Sequence, residues 1–109
     1  MEINNIPFCT IKWNELPSEE HYGITGKACW KVVKHGHVRA RIVEYSPGYF
    51  ADHWCEKGHV VYVLEGVFTS ELKDGRKFVL TKGMSYIVAD NTSPHRSFTK
   101  TGVKLFIVD

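Results

Sequence analysis

His53, Cys55 and His59 fall inside one short stretch, Asp52-His53-Trp54-Cys55-Glu56-Lys57-Gly58-His59, directly ahead of the apolar run Val60 to Leu64. Imidazole nitrogen and thiolate sulfur bind zinc, iron, nickel and copper, whereas magnesium and calcium prefer oxygen. A single histidine here would read as a polar turn residue. Two imidazoles and a thiol entering an apolar strand read as a transition-metal site. If the stretch is extended, side chains at even spacing share a face, so His53 and Cys55 point the same way. His59 has their parity, but Lys57-Gly58 between them can turn or bulge the chain.

The segments that must carry these residues are short and β-rich. Lys27 to Lys34 and Val38 to Tyr45 read as strands joined at a His35-Gly36 turn, which puts His35 and His37 at a turn tip, away from any site. Val60 to Leu64 is apolar on both faces, as expected of a strand buried between two layers. Gly66 closes it, and Val67 to Lys73 forms the next strand. Asp74-Gly75 is a hairpin turn from which Arg76 to Thr81 returns. Ser85 to Ala89, His95 to Thr99 and Val103 to Val108 complete the set, with Asp90 to Pro94 as a loop. Ahead of them, Phe8 to Trp13 alternates like an edge or swapped strand, and Asn14 to Thr25 reads as a polar connection containing His21 as a solvated loop residue. No stretch has the pattern of a long amphipathic helix. Short strands punctuated by glycine and Asp-Gly turns predict an all-β antiparallel sandwich or barrel.

A chain of 109 residues suits one domain. With 43% hydrophobic and 13% aromatic residues it can bury a core, which argues against disorder. The formal charge is +2 with scattered lysines and arginines, so nucleic acid is not an expected partner. The longest apolar run is far short of the roughly 20 residues needed to span a bilayer, so no membrane partner is expected either. Cys9, Cys29 and Cys55 form no C-x-x-C pair, which suits a reducing cytoplasm with Cys55 free to act as a ligand. Arg39 and Arg41 share one face of their strand with Val43 and Tyr45. That face is either solvated, or aims an arginine into a cavity to hold a carboxylate.

From Ser46 onward the sequence resembles the cupin superfamily. Its first motif runs G-x5-H-x-H-x3,4-E-x6-G, and Gly48, His53, Cys55, His59 and Gly66 fall on it, with Tyr62-Val63-Leu64-Glu65-Gly66 like its usual ending. Gly83 and His95 fall on the second motif, G-x5-P-x-G-x2-H-x3-N. The likeness is to small single-domain cupins marked by a D-H-C-W motif, where this chain reads Asp52-His53-Trp54-Cys55. Cys55 replaces the usual second histidine and His59 the usual glutamate. Ala89 and Asn91 replace the proline and glycine of the second motif, one extra residue precedes His95, and four residues, not five, separate Gly48 from His53.

The resemblance implies a cupin-type double-stranded β-helix (a jelly-roll barrel) over residues 27–109, with 1–26 as an N-terminal strand and loop extension. It further implies a homodimer and one divalent transition metal held by His53, Cys55, His59 and His95. The thiolate leans that site toward zinc, with iron or nickel as alternatives. Four protein ligands would close a structural zinc site, whereas three histidines with Cys55 unligated would leave positions free for a small-molecule substrate. The expected functions are a metal-dependent oxygenase or isomerase acting on a small organic molecule, a non-catalytic metal-bound ligand-binding or sensory module, or a β-barrel with structural zinc. An enzyme would need a general base, for which Tyr62, Tyr86 and Glu65 are available.

Overall fold

In a computed structural model, described here for residues 3–109, eight strands follow one single-turn 3₁₀ helix at Trp13–Glu15. The strands are β1 (Glu19–Tyr22), β2 (Lys27–His35), β3 (Val38–Tyr45), β4 (His59–Leu72), β5 (Lys77–Thr81), β6 (Ser85–Val88), β7 (His95–Phe98) and β8 (Val103–Val108). All pair antiparallel. Met1 and Glu2, the first residues of the expected N-terminal extension, lie outside the described residues.

β4 organises the barrel. Its first half pairs with β6 and β8, and its second half pairs with β5 and β7. It is one continuous strand of 14 residues, not two strands ended at Gly66, because a bulge between Val63 and Glu65 lets the ladder turn instead of stopping. The bulge also switches the inward side chains from His59, Val61 and Val63 to Phe68 and Ser70. Gly66 sits in the left-handed region at φ 86°, and a Cβ there would meet the Gly102 carbonyl oxygen at 2.4 Å. Only glycine passes this corner.

The core lies on the inward faces: Val43 of β3, Val61, Val63 and Phe68 of β4, Leu80 of β5, and Val103, Leu105 and Ile107 of β8. Each such side chain contributes about 1.5–3 kcal/mol relative to exposure. Val60 and Tyr62 are 37% and 43% exposed, so Val60 to Leu64 is covered on one face only. The outward apolar residues satisfy β propensity without entering the core.

The N-terminal segment differs from expectation. Phe8 to Lys12 pairs with no strand, although Cys9 lies 3.9 Å from His35 at the end of β2. It is tied down through Trp13, which packs edge-on against Phe106 with ring centroids 6.1 Å apart. The polar connection after it is not all loop: it contains β1, whose Glu-Glu-His-Tyr sequence lacks apolar alternation. His21 lies there, stacked on Trp30 with centroids 4.0 Å apart and 3.3 Å from Glu19.

Candidate metal centre

Cys55 reaches the barrel interior on a loop, not on a strand. Residues 46–58 run antiparallel to β7 and its extension through a sparse backbone zipper: Gly48 N–H to the Thr99 carbonyl (3.0 Å), Ala51 N–H to that of Ser97 (3.0 Å), and a reciprocal pair between Cys55 and His95 (2.7 and 3.0 Å). The last pair is an isolated β-bridge, which puts Cys55 and His95 side by side. His59 opens β4 on its inward parity, and His95 opens β7 on the facing strand. Arg96 reinforces the loop from outside. Its guanidinium lies 4.5 Å from the Phe50 ring centroid and 4.2 Å from that of Trp54, and it donates to Glu71 at 2.8 and 3.0 Å.

The ligand atoms of Cys55, His59 and His95 all lie within 4.8 Å of one another. His59 and His95 are 8% and 3% exposed, and Cys55 is half-buried. The outer partners fix the tautomers. His95 Nδ1 donates to the Ser93 carbonyl at 2.8 Å, so neutral His95 presents a lone pair at Nε2. His59 Nδ1 is buried without a hydrogen-bond partner but faces Asp109 Oδ2 at 3.5 Å, and the nearby carboxylate favours the proton on that nitrogen and a lone pair on its Nε2 as well. The two Nε2 atoms are 2.9 Å apart. Two lone pairs at that distance repel unless a proton or a cation lies with them, and a thiol stands beside them. Outer acceptors that orient ligating imidazoles in this manner are a feature of built metal sites. The donor set therefore fits a soft or borderline divalent metal.

Burial, followed by the charges of His95 and Arg41, holds His59 down to about 4, so it is neutral at pH 7. The Cys55 thiol is lowered by hydrogen bonding to His95, which outweighs its desolvation. His95 is raised: burial pulls it down, but hydrogen bonds to Cys55 and Ser93 and the Cys55 charge prevail. Tyr86 places its hydroxyl 3.0 Å from His59 Nε2, and burial keeps that phenol protonated.

His53, the remaining motif position, borders the same cavity but lies outside the three-residue cluster. Its side chain is 76% exposed and its Nδ1 is 2.6 Å from Asp52 Oδ1. Residues 52–58 are not a strand, so even spacing does not align His53 with Cys55. The structure thus brings together three of the four motif positions. Of the candidate bases, Tyr86 is at the centre, whereas Tyr62 faces outward and Glu65 is exposed. His35 and His37 are exposed, as their turn position implies, and all three cysteines are free thiols.

The sequence reading left out Asp109. This carboxylate, its side chain 1% exposed, accepts two hydrogen bonds from Arg39 (2.9 Å each) and one from Arg41 (3.2 Å) while facing His59. Arg39 and Arg41 therefore do point inward, and the carboxylate between them is the chain's own. Alternation along β8 puts Val103, Leu105 and Ile107 inward, and Asp109 continues that parity. That was the available signal.

Cys55, His59, His95 and Tyr86 line a cavity of about 310 Å³ whose lining also includes Trp30 and Arg41. Tyr86 and His95 also border a second cavity of about 250 Å³, with Leu72, Phe78 and Leu80 on its wall.

No family profile matches the sequence, and no curated protein matches it in sequence. Solved structures do match in shape. The polyketide cyclase RemF from Streptomyces resistomycificus superposes with a TM-score of 0.75 at 20% identity, covering 94% of this chain and 78% of that one. Ectoine synthase from P. lautus gives 0.74 at 14% identity, with 93% and 76% covered. A cupin-2 domain protein from Shewanella frigidimarina gives 0.59 at 19% identity, with 73% and 78% covered. With the antiparallel barrel and the strand-end histidines already in place, these likenesses identify the chain as a protein of the cupin fold.

Proposed function

We propose that this protein is a metal-dependent enzyme of the isomerase type, acting on a small organic carbonyl compound bound in the 310 Å³ cavity. Convergence of Cys55, His59 and His95 on one cavity, with the exposed fourth motif position, His53, bordering that cavity outside the cluster, carries the reading. Three protein ligands leave room for substrate, as catalytic sites require, whereas structural zinc sites use four. The thiolate favours zinc, which has no redox chemistry of its own, over the oxygenase alternative. Several structural neighbours carry enzyme names, among them the cyclase and the synthase above and DMSP lyases.

Cys55, His59 and His95 would hold the ion, and a bound divalent metal supplies Lewis-acid polarisation of a carbonyl oxygen. The protein's own groups do the rest. Ser93 and Asp109 keep the two imidazoles oriented with their Nε2 lone pairs inward. Tyr86 offers its O–H from the cavity wall, where it can donate to a substrate oxygen as negative charge develops there, and the α-proton passes to His53, which borders the cavity with its Nδ1 held by Asp52. The buried walls exclude bulk water and so strengthen these contacts.

Hydrogen–deuterium exchange tests this. Zinc-loaded protein in heavy water should wash out the α-hydrogens of members of a panel of small 2-oxo and 2-hydroxy compounds, followed by proton NMR. His95→Ala should abolish the exchange, and Tyr86→Phe should slow it by about 100-fold or more. Exchange that is the same in His95→Ala and in wild type would overturn the reading.

A further inference from the structure

We infer that Arg41 and Trp30 form an anion subsite in this cavity, and that the natural substrate is anchored there through a carboxylate. This deepens the reading above and rests on it.

Charge imbalance comes first. Asp109 is the partner of both Arg39 and Arg41, and Arg39 takes both of its oxygens at 2.9 Å. Arg41 shares Oδ2 at 3.2 Å through a single NH2. Two guanidiniums thus face one side-chain carboxylate, and among the described residues no Asp or Glu lines the cavity, while Arg39, Arg41, Lys57 and Arg96 do, of which Arg96 is paired with Glu71. A buried charge without full compensation calls for a counter-ion.

Unused donors come second. Arg41 is 6% exposed, yet its Nε–H is buried with no acceptor. The indole N–H of Trp30 is likewise buried and unpartnered. Both residues line the cavity, and the Arg41 guanidinium lies 4.3 Å from the Trp30 ring centroid. Buried donors are almost always paired, so two unpartnered donors on adjacent residues lining one cavity mark where an acceptor belongs. A carboxylate supplies a negative charge and two acceptor oxygens, and neutral amides or alcohols do not. Burial and the neighbouring Arg39 charge both lower Arg41, in keeping with a site short of negative charge.

The subsite and the candidate metal centre line the same cavity, with Asp109 between Arg41 and His59. A carboxylate at Arg41 would leave a carbonyl elsewhere in the same small molecule to approach Cys55, His59 and His95.

The test uses ligand-detected NMR on the full chain with benzoate, benzamide and benzyl alcohol as probes, each with metal-loaded and with chelator-treated protein. Benzoate should bind in both states, at least about tenfold more tightly than the two neutral analogues. Arg41→Met should weaken benzoate by about tenfold or more, Arg41→Lys by less, and Trp30→Phe, which keeps the ring but not the N–H, by several-fold. Arg41→Met leaves Arg39 and Asp109 paired, and Trp30→Phe keeps the fold testable if the arginine variant is unstable. Equal binding of benzoate and benzamide by wild type would overturn the subsite. So would benzoate binding that disappears on chelation and ignores both substitutions, an outcome that leaves the metal centre standing. Benzoate binding that depends on Arg41 but not on metal, in a protein that takes up no metal, would uphold the subsite while removing the metal reading.

Discussion

Asp109→Asn isolates the buried charge cluster behind His59. The substitution keeps shape and removes the carboxylate charge between Arg39 and Arg41. Breaking a buried pair by removing one partner costs about 3–5 kcal/mol. Arg39 is 27% exposed and can turn partly to water, so the lower end, about 3 kcal/mol, applies. Unfolding entropy near 2.1 cal/mol/K per residue amounts to about 0.23 kcal/mol/K for 109 residues, so Tm should fall by roughly 13 °C at pH 7.

The pH dependence is set by sign. Burial alone would raise the Asp109 carboxyl, but hydrogen bonding to Arg39 and the charges of Arg41 and Arg39 outweigh it and hold it below the ordinary value. A depressed carboxylate contributes stability that is complete above its unfolded pKa of about 3.9 and lost as pH falls through the folded value. The Tm gap between Asp109→Asn and wild type should therefore stay constant from neutrality to about pH 5 and close in stronger acid. Calorimetry across that range measures it. A gap under about 3 °C at pH 7, or one that widens on acidification, would refute the cluster's structural role.

Other expectations concern the ligands and the bend. His53→Ala should retain metal content within error, because His53 lies in solvent against Asp52, and elemental analysis compares it with wild type. Cys55 should be alkylated faster than Cys9 in chelated protein, since its thiol is lowered by His95, and slowly in loaded protein; peptide mapping resolves the two. Metal affinity should fall with falling pH as protons compete for the thiolate and imidazoles, readable by competition with a chromophoric chelator. Gly66→Ala should destabilise by more than about 2 kcal/mol in denaturant unfolding, because positive φ and a close carbonyl both oppose a methyl there. A homodimer remains the expectation for so small a domain with exposed Val60, Tyr62 and Ile87 on one outer face. A monomer mass in micromolar light scattering would count against it.

Most strands were legible because their signals are local. The turn chemistry of Gly36 and Asp74-Gly75 bounded β2, β3, β4 and β5 within a residue or two. The long β4 was not legible, since a glycine at a bulge and a glycine at a turn look alike in sequence. The candidate site was legible in its residue types, but not in which of them cluster most closely. Parity grouped His53 with Cys55, whereas the segment is a loop whose orientation is set by hydrogen bonds to β7, some 40 residues away in sequence. Asp109 and the inward turn of Arg39 and Arg41 depend on β3 pairing with β8 through Arg39 and Asp109 backbone groups. A pairing between distant strands leaves no mark on either segment alone.

Metal stoichiometry of tag-free protein, measured by mass-spectrometric elemental analysis beside Cys55→Ser, His59→Ala and His95→Ala, tests the central claim most directly. The three-ligand centre predicts about one divalent metal per wild-type chain after zinc loading and gel filtration, and well under half of that in each histidine variant, with Cys55→Ser reduced and all variants folded by circular dichroism. A His59→Ala/His95→Ala double variant that keeps one metal per chain, or wild type that takes up none, would contradict it.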